Sequence, residues 1–89
     1  MNRKYQMTVR TENDLRFLNQ IVTALACRNA TIDRLTLDRS PGGECNYTIG
    51  MEAEDQCIDA LTRQIEKKIG VLKVSAREER NMNRNNSNL

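Results

Sequence analysis

Few residues in this chain can do chemistry, and their spacing limits what that chemistry could be. Its three cysteines, Cys27, Cys45 and Cys57, are an odd number, none sits in a Cys-x-x-Cys pair, and the chain has no histidine. Neither a disulfide framework nor a zinc site can be built from that set, so all three are read as small buried or half-buried thiols. Catalysis needs a nucleophile beside a base, paired carboxylates or metal ligands, and no such constellation is present. Asp33 and Asp38 stand near the ends of one expected strand, where carboxylates are ordinarily solvated. The chain is therefore read as non-catalytic by itself. The segment VRTENDLRFL, Val9 to Leu18, is of interest for its backbone. A strand running straight into a helix offers free N–H groups to an anionic ligand, usually with the help of a glycine, and this segment has none.

The elements that would position these residues follow from periodicity. From Tyr5 onward Tyr5, Met7 and Val9 alternate with Gln6, Thr8 and Arg10, the period of a half-buried strand. Thr11 to Asp14 carry side-chain oxygens suited to capping a helix start. Leu15, Leu18, Val22 and Leu25, flanked by Phe17 and Ile21, recur at helical spacing. Asn29 tolerates the left-handed conformation that closes a helix. A second strand is expected over Ile32 to Asp38 with Leu35 and Leu37 on one face, and Pro41, Gly42 and Gly43 then turn the chain back antiparallel. The third strand places Cys45, Tyr47, Ile49, Met51 and Ala53 inward. Glu54-Asp55 suit a second helix start, with Ile58, Leu61, Ile65 and Ile69 as its apolar stripe and Gly70 as its stop. The last strand, VLKVSAR, has Leu72, Val74 and Ala76 as the inward set. The order βαββαβ predicts an α+β, ferredoxin-like fold, a four-stranded antiparallel sheet with two helices on one face. The ordered domain is expected over 1–78, and the asparagine-rich stretch 79–89 as a disordered tail.

Composition narrows the partners. In 89 residues only a modest core can be buried, which favours a dimer or a complex. A formal charge of +2 is too small to argue for nucleic acid. RNA-binding domains of this topology stack bases on exposed aromatics, whereas Tyr5 and Tyr47 share the parity of the core residues. Arg3, Lys4, Arg77, Arg80 and Arg84 are read as a solvated cluster near the termini. No apolar run reaches the roughly 20 residues of a membrane-spanning helix and no signal-like segment opens the chain, so a cytoplasmic location with no membrane partner is expected.

Two segments carry a resemblance. CRNATIDRLTL and IEKKIGVLKVS together resemble the ACT domain, and specifically the small regulatory subunits of acetohydroxyacid (acetolactate) synthase. The first keeps the family's R-G-x-N-I-x-S-L type at Arg28, Ile32 and Leu35, with Asn29 where glycine is usual and Thr31 where asparagine is usual. In the second, Gln64, Lys67 or Lys68, Ile69, Val71, Lys73 and Val74 follow a Q-x-x-K-L-x-x-V-x-K-V type. The family's larger members continue into a second domain. This chain is closest in type to the short, single-domain subunits of isozymes that valine does not inhibit.

The resemblance implies a non-catalytic activator in branched-chain amino-acid synthesis. Such a chain forms a homodimer and binds a large subunit, and that partner, not this chain, holds thiamine diphosphate, FAD and Mg²⁺. It further implies that edge second strands meet in the dimer, here through Thr36, Asp38 and Arg39. Amino-acid-binding ACT domains carry an N-x-P-G type turn after the first strand. Asn13 keeps its asparagine, but Leu15 and Arg16 stand at the usual proline and glycine, where a Cβ and a long cation obstruct a ligand's approach to the backbone. Asn13, Asp14, Leu15, Arg16, Asn29, Thr31 and Ile32 are thus expected to form a vestigial effector site with weak or no valine binding. The alternative is a free-standing amino-acid sensor module.

Overall fold

The computed structural model describes residues 2–13 and 16–79; Asp14, Leu15 and, from Arg80 on, the expected tail lie outside the described residues. Strand β1 (Asn2–Thr11) leads to helix α1 (Arg16–Cys27), strands β2 (Thr31–Arg39) and β3 (Cys45–Glu54), helix α2 (Ile58–Glu66) and strand β4 (Val71–Glu78). The strands form one antiparallel sheet in the order β2-β3-β1-β4. The two most regularly alternating strands occupy its centre. Tyr5 faces Met51, Met7 faces Ile49 and Val9 faces Tyr47, and all six are buried under the helices. Each such side chain contributes about 1.5–3 kcal/mol on burial. An exposed ion pair such as Arg3 with Asp55 (3.4 Å) or Glu78 (3.1 Å) is screened by water and adds little, so the apolar layer decides the fold.

The α1 stripe is centred on Phe17, Ile21, Ala24 and Leu25, which are buried, while Leu18 is half-buried and Val22 is 37% exposed. The expected stripe is thus rotated by about one position. Apolar residues on both flanks make either phase amphipathic, and docking selects the one that brings the Phe17 ring against Gly70. The helix closes as expected from Asn29, which takes φ +59°. The Ala30 N–H donates to the Leu25 carbonyl (3.0 Å) and the Asn29 N–H to the Ala26 carbonyl (3.1 Å), the paired bonds of a Schellman ending. Cys27, expected to be at least half-buried, is exposed on the last turn, whereas Cys45 is buried and Cys57 half-buried.

Strand β2 begins at Thr31 opposite Glu52 and slips register between Ile32 and Arg34. That irregularity keeps Ile32, Leu35 and Leu37 opposite the core residues Met51, Ile49 and Tyr47. In the turn that follows, the Ser40 N–H donates to the Glu44 carbonyl (2.8 Å) and the Gly43 N–H to the Ser40 carbonyl (2.9 Å), with Gly43 at φ +95°.

Other expectations fail for local reasons. Thr11 does not cap α1: it ends β1, fully buried, and its hydroxyl donates to the Glu12 carbonyl at 2.8 Å. Helix α2 does not start at Glu54-Asp55, because Glu54 still pairs with Asn2 and the Cys57 N–H bonds the Glu54 carbonyl (2.9 Å) in an intervening turn. The stripe of α2 ends at Ile65, and Ile69, beyond the helix, is 95% exposed. A bulge in β4 opposite Arg10 and Thr11 pairs Val71 with Thr11 and skips Leu72, so Val71 packs on the core and Leu72 is exposed.

Substitutions at two positions probe these closures. Gly70 sits at φ +96°, and a Cβ there would overlap the Phe17 ring. Gly70→Ala should therefore cost about 2–4 kcal/mol in urea unfolding. At position 29, Asn29→Gly should leave stability within about 1 kcal/mol, while Asn29→Val should cost about 1–2 kcal/mol, because a β-branched residue resists the left-handed region.

Candidate functional site

The turn between β1 and α1 is occupied by the chain's own groups. The Glu12 N–H donates to the Gly70 carbonyl at 2.9 Å, and Phe17, one residue into α1, packs on the same glycine. The Asn13 side-chain oxygen accepts a long contact from the Cys45 thiol, 3.9 Å away. Arg16 opens the helix on the exposed side. Sequence reasoning searched this turn for a glycine and missed that Gly70, from the loop after α2, supplies the bare backbone that approaches it. No local pattern links residues so far apart in the chain.

The other expected effector residues lie elsewhere. Thr31 and Ile32 open β2 opposite Glu52 and Met51, with Asn29 closing α1 just before them, whereas Asn13 contacts Cys45, whose partner on β2 is Arg39. The two groups are thus separated by the length of β2, roughly 25 Å at the rise of an extended strand. A single chain does not bring them together. Thr36 and Asp38 lie on the sheet face away from the helices and Arg39 on the helix side, all three exposed on the edge strand. Leu35 (36% exposed) and Leu37 (41%) point to the helix side and are left open there.

The two segments that carry the family resemblance meet in space. Arg28 Nε donates to Gln64 Oε1 at 3.2 Å, tying the end of α1 to α2. Arg28 and Gln64 therefore have a visible structural task at the helix pair. Near the start of β1, Arg3 bridges Asp55 and Glu78. The hydrogen bond to Glu78, then the charges of Glu78 and Asp55, raise its already high pKa further.

The face opposite the helices is polar and ordered in rows by the register. One row runs Thr36, Thr48, Thr8, Ser75 across all four strands. On one side of it lies the row Arg34, Gly50, Gln6, Arg77, and on the other the row Asp38, Asn46, Arg10, Lys73. Arg10 reaches Asn46 (3.4 Å) and Glu44 (3.8 Å). The described aromatic residues Tyr5, Phe17 and Tyr47 are all buried on the other side. Among the described residues no group of three His, Cys, Asp or Glu side chains is placed to hold a metal ion. No helix among them is long and apolar enough to cross a membrane.

No family model matches the sequence, and no curated protein matches it. The fold has many solved neighbours. The ACT domain from GTP pyrophosphokinase of Chlorobium tepidum superposes with a TM-score of 0.72 at 15% identity, over 86% of this chain and 100% of that one. The C-terminal domain of the MgtC protein from Mycobacterium tuberculosis gives a TM-score of 0.75 at 13% identity, over 89% of each chain. A homoserine dehydrogenase from Thiobacillus denitrificans gives 0.74 at 18% identity, over 88% of this chain but 17% of the enzyme. With its βαββαβ order, its β2-β3-β1-β4 sheet and its superposition on the whole of that ACT domain, the chain has a ferredoxin-like fold of the kind seen in ACT domains.

Proposed function

We propose that the chain is a non-catalytic regulatory subunit that dimerises through β2 and activates the large subunit of acetolactate synthase in branched-chain amino-acid synthesis. The observation that carries dimerisation is the state of β2. It is a nine-residue edge strand with free main-chain groups, and it leaves Leu35 and Leu37 open beside them. Antiparallel pairing with the same strand of a second copy extends the sheet to eight strands and covers those leucines. It also sets the Arg39 end of one protomer against the Thr31 end of the other. That arrangement brings the Asn13 turn of one copy toward the Asn29 to Ile32 segment of its partner, uniting the two halves of the effector site.

The effector half of the function is lost in this reading. The Glu12 N–H is engaged by Gly70, Asn13 faces Cys45, and Arg16 stands where the resembling family has glycine. Activation then rests on protein contact alone. A partner bound more tightly by the competent form of the large subunit shifts that subunit's population toward it. The synthase assignment is supported by the resemblance at Arg28, Ile32 and Leu35 and at Gln64, Val71, Lys73 and Val74, and the partner subunit would hold thiamine diphosphate, FAD and Mg²⁺.

Three measurements test it. Co-expression with the synthase large subunit encoded in the same genome should give a copurifying complex and faster acetolactate formation; no copurification and unchanged activity would refute the assignment. Replacing Leu35 and Leu37 together by lysine should convert a dimer to monomer in analytical ultracentrifugation without unfolding it, whereas a wild-type chain that sediments as a monomer would remove the β2 interface. Calorimetry with valine should show no saturable micromolar binding; finding it in the isolated chain would favour a free-standing amino-acid sensor.

A further inference from the structure

Strand β2 carries a charge pattern that its own fold leaves unused. From Asp33 to Arg39 it reads DRLTLDR. About Thr36 the charges are opposite in sign at equal distances, Arg34 against Asp38 and Asp33 against Arg39, with Leu35 and Leu37 between them. The ion pairs among the described residues use Arg3, Arg10, Glu44, Asp55 and Glu78, and none of these four charges takes part. Nor can the strand match its own charges. Arg34 and Asp38 share a face but lie four residues apart, roughly 13 Å at the rise of a strand. The backbone of the same stretch is half used as well. The Ser40 N–H donates to the Glu44 carbonyl, and main-chain groups alternate in direction along a strand. Asp38, Thr36 and Arg34 therefore bond toward β3, while Leu35, Leu37 and Arg39 present their N–H and carbonyl groups outward.

We infer that β2 pairs with β2 of a second copy in one defined register, with Thr36 on the two-fold axis. The inference rests on the dimerisation through β2 proposed above and adds what fixes its alignment. Antiparallel pairing about such an axis sets open-face residues opposite open-face residues and helix-side residues opposite helix-side ones. With Thr36 facing the partner's Thr36, Arg34 faces the partner's Asp38 and Asp38 the partner's Arg34. Leu35 faces the partner's Leu37, and the outward main-chain groups of these leucines bond across the joint. The charged pairs then fall at non-hydrogen-bonded positions, where opposed Cα atoms are about 4.5 Å apart and side chains meet most closely. Arg39 and the bulged Asp33 form the outermost pair. Asp33 leans to the open face beside Arg34 and Gly50, so it contributes charge more than contact. Sliding the axis to Leu35 sets Arg34 against Thr36 and Asp38 against Ile32. Sliding it to Leu37 sets Asp38 against Thr36 and Arg39 against Leu35. Neither alternative sets any charge against its opposite, so the charges select the Thr36 axis.

Charge reversal tests the alignment without touching the leucines. Arg34→Asp alone and Asp38→Arg alone each set like charges face to face at both inner pairs. Each should raise the dimer dissociation constant about tenfold or more in sedimentation velocity. Far-ultraviolet dichroism should stay unchanged, since both positions are exposed. Mixed in equal amounts, the two variants should dimerise with each other at wild-type strength, because every facing pair is then one negative charge against one positive. In a Cys27→Ser background, Thr36→Cys should link two copies by a disulfide on air oxidation, the facing positions lying within its reach. Reversals that leave the dimer unchanged, a mixture that stays monomeric, or no link at position 36 overturns the alignment, and the β2 dimer stands if Leu35→Lys with Leu37→Lys still dissociates it. A wild-type chain that sediments as a monomer, or a dimer indifferent to Leu35→Lys with Leu37→Lys, overturns both.

Discussion

Two short helices have to cover four strands, and they cannot. Helix α1 has twelve residues and α2 nine, while the strands have eight to ten residues each. The apolar layer they close lies over β1 and β3, where the helix-side residues from Tyr5 to Thr11 and from Cys45 to Ala53 are buried. Strand β4 contributes one buried side chain, Val74, and β2 none. This shortage of cover shapes the rest of the molecule. It confines the core to the centre of the sheet, leaves the leucines of β2 half in water, and makes association a natural way to bury them. A chain of this size has little other apolar surface to draw on.

The same economy operates at the turn after β1. A ligand site of this kind needs open backbone and unspent N–H groups. Here Gly70 enters from another loop, takes the Glu12 N–H and is roofed by Phe17. The contact joins the start of α1 to the start of β4 and thereby locks the two crossover connections together. In the function proposed above, internal rigidity takes the place of a small-molecule site, which suits a subunit that works by presenting a fixed surface.

Much of this could be read from residue order, and the parts that could not share a cause. Strict alternation located β3 and the inward tyrosines, because a period of two admits one buried face. Asn29 was legible because few residues accept a left-handed backbone. Leu72 was not, since a bulge adds a residue without changing the local pattern. Ile69 and Val22 failed because helix length and helix phase are fixed by what the helix packs against, here Gly70 and the central strands. Of the candidate site, the residues of the turn could be named from the sequence, Asn13 and Arg16 among those the structure describes. The roofing glycine was not, and neither were the rows on the open face, which exist only once four strands from distant parts of the chain are in register.

The position of β1 at the centre of the sheet has a bearing on how the molecule is made. The first strand of the domain pairs on one side with β3 and on the other with β4, the last of its strands. Its second row of hydrogen bonds waits until nearly the whole domain has left the ribosome, and pairings of such long sequence separation form slowly. In that interval β1 and β2 both offer open edges to neighbouring nascent chains. The polar and charged residues along their outer faces, Lys4, Arg10, Arg34 and Asp38 among them, are of the kind that disfavours stacking of unfinished sheets.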